Sequence, residues 1–273
     1  MKKILVPIDF SECSEHAMEM AAVIANAIKA RITVLHMMGL SEAVLAKDEA
    51  QEYMEAQFYM DLAKKRFETF LDRPYLRGIK VDKIVQNYKI FSEVNDIAKN
   101  HEIDLVVMGS HGLRGIKDFF VGSNTEKVVR TSKVPVLVIK ERITDFKIQK
   151  IAMAWHYKDE KVSSYRKAKA FADVFGAELD LVYVNLPGSE FLSTKEIEER
   201  TSTFMQDTGI NKEIIIYDDY SVEKGLTNYA DKVQADIIAI PTHGRKGLAH
   251  FFLGSMGEDL ANHAHLPVLT FKI

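Results

Sequence analysis

Three glycines and a serine at fixed spacing, Gly109-x2-Gly112-x9-Gly122-Ser123, are the residues of this chain best suited to chemistry. They follow the apolar run Leu105 to Met108 and lead into a helical stretch from Ser123 to Ser132. Glycine tolerates positive φ and lets the backbone come close to a ligand. A helix starting at Gly122-Ser123 turns unpaired N–H groups outward, where the helix dipole carries roughly half a positive charge. The Ser123 hydroxyl and the Thr125 side chain add hydrogen-bonding groups. Such a set suits anionic oxygens, phosphate above all. Glycine after a strand serves a tight turn equally well, so the spacing alone leaves both uses open.

The same unit occurs twice. A shift of 132 residues carries His111 onto His243, Gly112 onto Gly244, Gly122 onto Gly254 and Pro135 onto Pro267. Nearer the start of each half the shift is 147, which sets Ile4 on Ile151 and Ile32 on Leu179. The difference, 147 − 132 = 15 residues, is a deletion between the second and third strands of the second half. The elements that must position the loop follow from apolar periodicity. Ile4 to Ile8, Ile32 to His36, Ile79 to Val85, Leu105 to Met108 and Val136 to Ile139 read as strands. Ala17, Met20, Ala21, Ile24, Ala25 and Ile28 form one helical stripe. Ser41 to Leu71 reads as a bent or broken helix with Tyr53, Leu62, Phe67 and Phe70 as buried candidates, ended by Pro74 and Gly78. Ser193-Thr-Lys-Glu196 fits a capping box for a shorter helix in the second half.

Strands alternating with helices predict an α/β fold of two repeated doubly wound domains, each with a mostly parallel five-stranded sheet. The domains expected are 1–142, with an intact loop motif, and 147–273, with a degenerate one. A short charged linker joins them as an intrachain pseudo-dimer, with the final strands, Val136 to Ile139 and Val268 to Phe271, as its seam. The chain has 273 residues, 47% hydrophobic and 27% charged, and a net charge of −3, which gives no reason to expect a nucleic-acid or membrane surface. The apolar start is interrupted at Asp9, too early for a signal peptide, and the single Cys13 suits a reducing compartment, so a cytoplasmic location is expected. No metal site is expected, because His243, His250, His263 and His265 match no ligand spacing. His36 and His111 read as structural, and Asp104 and Asp236 as turn-forming.

The chain resembles the universal stress proteins in their tandem, two-domain form. The resemblance rests on Ile4-Leu-Val-Pro7-Ile-Asp9-Phe10-Ser11, Leu35-His36-Met37, Met108-Gly109-Ser-His-Gly112 through Gly122-Ser123, and Pro135-Val-Leu-Val. It implies an adenine nucleotide alpha hydrolase-like fold. It also implies an adenine-nucleotide site for ATP or AMP, with or without magnesium, since the long-spaced glycine motif marks the family members that bind ATP. By position, Pro7 and Asp9 would border the adenosine, and Met37, after the second strand, would offer backbone groups to the adenine edge. Gly109 and Gly112 would let the loop fold over the phosphates, and Gly122, Ser123, Asn124 and Thr125 would hold them. The lesser alternatives are a cap of the first helix for Asp9 and core packing for Met37.

The second half departs from this pattern, with His156 at the position of Asp9, Pro241 at that of Gly109 and Trp155 at that of Ile8. Proline fixes φ and lacks an N–H. One competent nucleotide site is therefore expected, in the first half. No Gly-x4-Gly-Lys-[Ser/Thr] loop and no catalytic residues stand out. The expected function is a nucleotide sensor or carrier of the stress response with little or no turnover, able to form a homodimer and to bind an unknown client protein. The alternatives are a slow ATP-hydrolysing enzyme and a nucleotide-free interaction module.

Overall fold

The computed structural model describes residues 1–38, 49–87, 92–110, 123–143, 146–155, 162–242 and 266–272. The chain separates into two compact units, the first ending at Ile143 and the second running from Thr144 to Ile273.

In the first unit, β1 (Lys3–Ile8), β2 (Arg31–Met38), β3 (Val81–Asn87), β4 (Leu105–Gly109) and β5 (Val136–Ile139) alternate with α1 (Glu12–Ile28), α2 (Glu49–Leu71), α3 (Ser92–Asn100) and α4 (Ser123–Thr131). The sheet order is β3-β2-β1-β4-β5, every pair parallel. Ile4, Leu5, Ile32, Leu105, Leu137 and Ile139 are fully buried, as continuous apolar strands between helical layers require. The stripe expected on α1 is buried from Ala17 to Ala25. The hydroxyl of Ser11 caps this helix by accepting from the Ser14 N–H at 3.3 Å.

The second unit repeats the plan. Its strands are β6 (Lys150–Ala154), β7 (Glu178–Asn185), β8 (Ile214–Asp218), β9 (Ile237–Thr242) and β10 (Val268–Lys272), and its helices α5 (Val162–Phe175), α6 (Thr194–Thr208) and α7 (Val222–Lys232). The order β10-β9-β6-β7-β8 is again all parallel. The capping box is present: Ser193 Oγ accepts from the Glu196 N–H, and Glu196 Oε2 accepts from the Ser193 N–H at 2.8 Å.

Three expectations need correction. Within the long stretch of the first half, Glu49–Leu71 is helix without a break, and of its buried candidates Phe67 and Phe70 are buried whereas Leu62 is exposed beside Met54 and Phe58. Among the described side chains the helix carries two apolar stripes, and the one with Ala63, Phe67 and Phe70 is buried, Phe67 against His36 of β2. The Tyr53 side chain and residues 41–48 lie outside the described residues. The third strand starts two residues later than expected, at Val81. Finally, Asp104 and Asp236 clamp strand starts. Asp104 Oδ2 accepts from the N–H groups of Lys2 and Lys3 at 2.6 and 3.0 Å, and Asp236 Oδ2 from those of Gln149 and Lys150 at 2.8 and 2.9 Å.

One buried polar pair belongs to the second unit alone. Asp180 takes the place of Thr33, and its Oδ2 accepts from the Tyr229 hydroxyl at 2.8 Å. Burial first, and then this bond, pushes the Tyr229 phenol above its ordinary range. Tyr229→Phe removes the donor and leaves a carboxylate that is 5% exposed with Lys150 Nζ, 3.8 Å away, as its remaining ion-pair partner. The expected cost is about 1–3 kcal/mol, read from urea denaturation followed by the fluorescence of Trp155.

Candidate functional site

The chain runs from β1 outward to β2 and β3, then returns to place β4 on the other side of β1. The sheet therefore changes direction between β1 and β4, and open α/β sheets bind ligands beyond the carboxyl ends of strands at such a point. The local pairing parts there, which leaves room for a crevice. The β1–β4 ladder ends at Leu5↔Val106, whereas β1–β2 continues through Pro7↔Leu35 to Ile8↔His36. Pro7 has no N–H to give to a ladder, which suits the position where β1 leaves β4.

Asp9 lies just past β1, on one lip of this crevice. Its Oδ1 accepts from the Ser14 hydroxyl at 2.7 Å and from the Ser11 N–H at 3.1 Å, and its own N–H donates to Ser14 Oγ at 3.1 Å. The carboxylate is thus aimed by the turn, while Ser11 does the capping. The neighbouring Phe10 holds φ at +64°, a left-handed conformation that costs roughly 1–2 kcal/mol for a non-glycine residue. Its ring packs among His36 (4.5 Å between centroids), Phe67 (5.3 Å) and Phe70 (5.6 Å). His36 donates from Nδ1 to the Ile8 carbonyl at 3.0 Å, and burial holds its imidazole below the ordinary range against the opposing pull of that bond. It is a structural residue of the lip.

Gly109 ends β4 on the opposite lip, opposite Ile139. A Cβ at Gly109 would stand 2.6 Å from the Cys13 carbonyl oxygen of α1. The glycine here answers to close packing of helix on strand, a reason different from the loop freedom expected of it. Thr125 is also placed differently from expectation: its hydroxyl donates to the Gly109 carbonyl at 2.8 Å, so its proton ties α4 to β4. That tie sets the first turn of α4, beginning at Ser123, at the carboxyl end of β4. Asn124 is exposed on the same turn. Met37 lies inside β2, half-buried and paired with Gln86, rather than after the strand; the β1 ladder has already stopped at His36. Gly112, Gly122, His111 and the Ser123 side chain lie outside the described residues.

Pro7 and Asp9 at the end of β1, and Gly109 with the first turn of α4 at the end of β4, therefore lie at the carboxyl edge on the two sides of the switch point, with Met37 one strand away. Sequence reasoning missed Ser14 as the residue that orients Asp9, Cys13 as the neighbour that demands Gly109, and Phe10 as the pivot of the lip. The Ser11 and Ser14 pair at the helix start was the available signal for the first. Nothing local points to Cys13.

In the second unit Pro241 lies within β9, opposite Phe271. Trp155 is buried and packs edge-on against Phe204 of α6 at 5.4 Å and Tyr183 of β7 at 6.2 Å. It takes over the core place of the equally buried Ile8. His156, Gly244, Gly254, Ser255 and the four C-terminal histidines weighed as metal ligands lie outside the described residues.

These features define a class: a doubly wound, all-parallel α/β unit with a switch point between its first and fourth strands, built twice in one chain. The model of the universal stress protein family matches residues 1–140 and again 148–272, and the chain belongs to that family. A universal stress protein of Methanocaldococcus jannaschii is 30% identical over 155 residues, covering 52% of this chain and 96% of its own length. One from Bacillus subtilis is 26% identical over 145 residues, covering 50% and 98%. Among solved structures, a universal stress protein from Archaeoglobus fulgidus aligns with a TM-score of 0.66 at 20% identity, over 99% of this chain and 96% of that one, a likeness of fold. Among the described residues no helix is long and apolar enough to cross a membrane.

Proposed function

We propose that the chain is a cytoplasmic adenine-nucleotide-binding protein of the stress response, a sensor or carrier of ATP or AMP with little or no turnover. The observation that carries this reading is the opened β1–β4 switch point, flanked by Asp9 on one side and by Gly109 and the first turn of α4 on the other. Membership of the family and the glycine spacing of the sequence support it. In this reading Asp9 and Pro7 border the adenosine and Met37 lies toward the base. The segment from Gly112 to Gly122, with Ser123 and Asn124, receives the phosphates. Gly109 and Thr125 act by fixing the two ends of that segment. Magnesium would accompany the triphosphate. The second unit, with Pro241 and His156 in place of Gly109 and Asp9, contributes no equivalent site. A homodimer and a client protein belong to the same proposal.

Calorimetric titration of the full chain with ATP and AMP tests it. One nucleotide per chain is expected, and two equivalent sites, or none, overturn the reading. Asp9→Asn keeps the Oδ1 acceptor that Ser11 and Ser14 use but removes the charge. It is expected to weaken binding at least tenfold, about 1.4 kcal/mol, with the melting temperature of the ligand-free protein little changed. Turnover that vanishes in this variant would instead make the protein a slow hydrolase.

A further inference from the structure

At the amino end of the first unit's sheet, opposite the crevice, lies a cavity of about 540 Å³ with five cations in its wall: Lys2, Lys3, Lys29, Arg31 and Lys80. The apolar part of the wall includes Ala30 and Ile79, and no carboxylate lines it. The volume falls within the range of small-molecule sites. Lys3 is engaged, its Nζ lying 2.7 Å from Glu102 Oε2. The Asp104 carboxylate, through Oδ2, accepts from the backbone N–H groups of Lys2 and Lys3. Among the described residues, no ion pair involves Lys2, Lys29, Arg31 or Lys80. A chain of net charge −3 thus gathers unneutralised positive charge at one place.

The second unit supplies an internal control, because its backbone is the same there and its charges are not. The strand starts are joined alike, Arg31 N–H to the Lys2 carbonyl at 2.9 Å and Glu178 N–H to the Gln149 carbonyl at 2.7 Å. Yet Lys2 becomes Gln149, Lys29 becomes Gly176 and Arg31 becomes Glu178. Glu178 pairs with Lys150 at 3.0 Å, so that edge is neutralised from within. The first unit instead sets like charges opposite each other, Lys3 and Arg31 being in register on adjacent strands, an arrangement that destabilises a sheet. It also keeps Lys29 at φ +54°, where the second unit has glycine at +66°, the residue that adopts this region without strain. Both choices cost stability, and both place a cation on the cavity.

We propose that this cavity is a second ligand site, taking a compact multivalent anion of the oligophosphate class. The five cations stand around one open hollow of about 540 Å³, which fits a compact anion better than a length of acidic chain. The site is independent of the nucleotide crevice.

The test grafts the second unit's residues onto the first, Lys29→Gly with Arg31→Glu, and titrates the full chain with inorganic tripolyphosphate at low ionic strength, where surface charge is least screened. The wild type is expected to bind, the double variant at least tenfold more weakly, and Asp9→Asn as the wild type does. The double variant is also expected to melt higher in the absence of ligand, because it adopts an arrangement the chain already uses, and to keep its affinity for ATP. A loss of affinity together with a gain in stability separates a binding role from damage to the fold. Equal affinity in wild type and double variant, absence of binding to the wild type, or a loss confined to Asp9→Asn overturns the proposal. So does tighter binding of poly-glutamate than of tripolyphosphate, which would assign the groove to an acidic polypeptide.

Discussion

Gly109→Ala is expected to destabilise the first unit by about 1–3 kcal/mol and to abolish nucleotide binding, although alanine adds a single methyl group. The added carbon would lie 2.6 Å from the Cys13 carbonyl oxygen and 2.8 Å from the Cys13 Cβ. These are main-chain and Cβ atoms near the start of α1, so no rotamer change relieves the contact and the helix itself must move. The first turn of α1 carries Ser14, and Ser14 orients the Asp9 carboxylate. Strain at Gly109 therefore reaches both lips of the crevice. Urea denaturation measures the cost. The single tryptophan, Trp155, belongs to the second unit, so its fluorescence reports that unit, while far-ultraviolet circular dichroism reports both. An early dichroism transition with the fluorescence midpoint unmoved is the expected signature. Wild-type stability in this variant would show that α1 is free to withdraw from β4.

Phe67→Ala is expected to have the larger effect on stability, about 3–5 kcal/mol, because its ring is 1% exposed and its removal leaves a cavity. Phe67 meets Phe10 edge-on at 5.3 Å and His36 at 6.3 Å, and with Phe70 it closes the cluster that holds Phe10 in its left-handed conformation. Without that packing the strain at Phe10 has less to oppose it, and the Asp9 turn loosens. Nucleotide affinity is expected to fall with stability, whereas Leu62→Ala, on the exposed stripe of the same helix, should change neither by more than about 0.5 kcal/mol. Equal effects of the two substitutions would refute the assignment of the buried face.

That contrast within one helix marks where sequence reasoning stops. Hydrophobic periodicity showed that α2 has apolar residues at helical spacing, but Met54, Phe58 and Leu62 repeat as well as Ala63, Phe67 and Phe70 do. Which stripe meets the sheet is settled by where the helix lies against β2 and β3, Phe67 meeting His36 and Lys83, a long-range matter. The repeated strand–helix order, the capping box at Ser193 and Glu196, and the parallel sheets were legible because they rest on local periods and on hydrogen bonds a few residues apart. The apolar run located β4 to within one residue, the strand ending at Gly109 and not at Met108. The physical reason for Gly109 was hidden, since Cys13 is its neighbour in space and not in sequence.

Local pattern, then, set the elements, their order and their duplication, because propensity and alternation act over a few residues. Packing alone decided that Thr125 donates to Gly109, that Ser14 aims Asp9, that Asp104 and Asp236 hold strand starts, and that Arg31 faces Lys3 where its counterpart Glu178 neutralises Lys150. Most of these contacts join residues far apart in the chain. Their energies depend on distances and burial that exist only once the sheet and helices have closed upon each other.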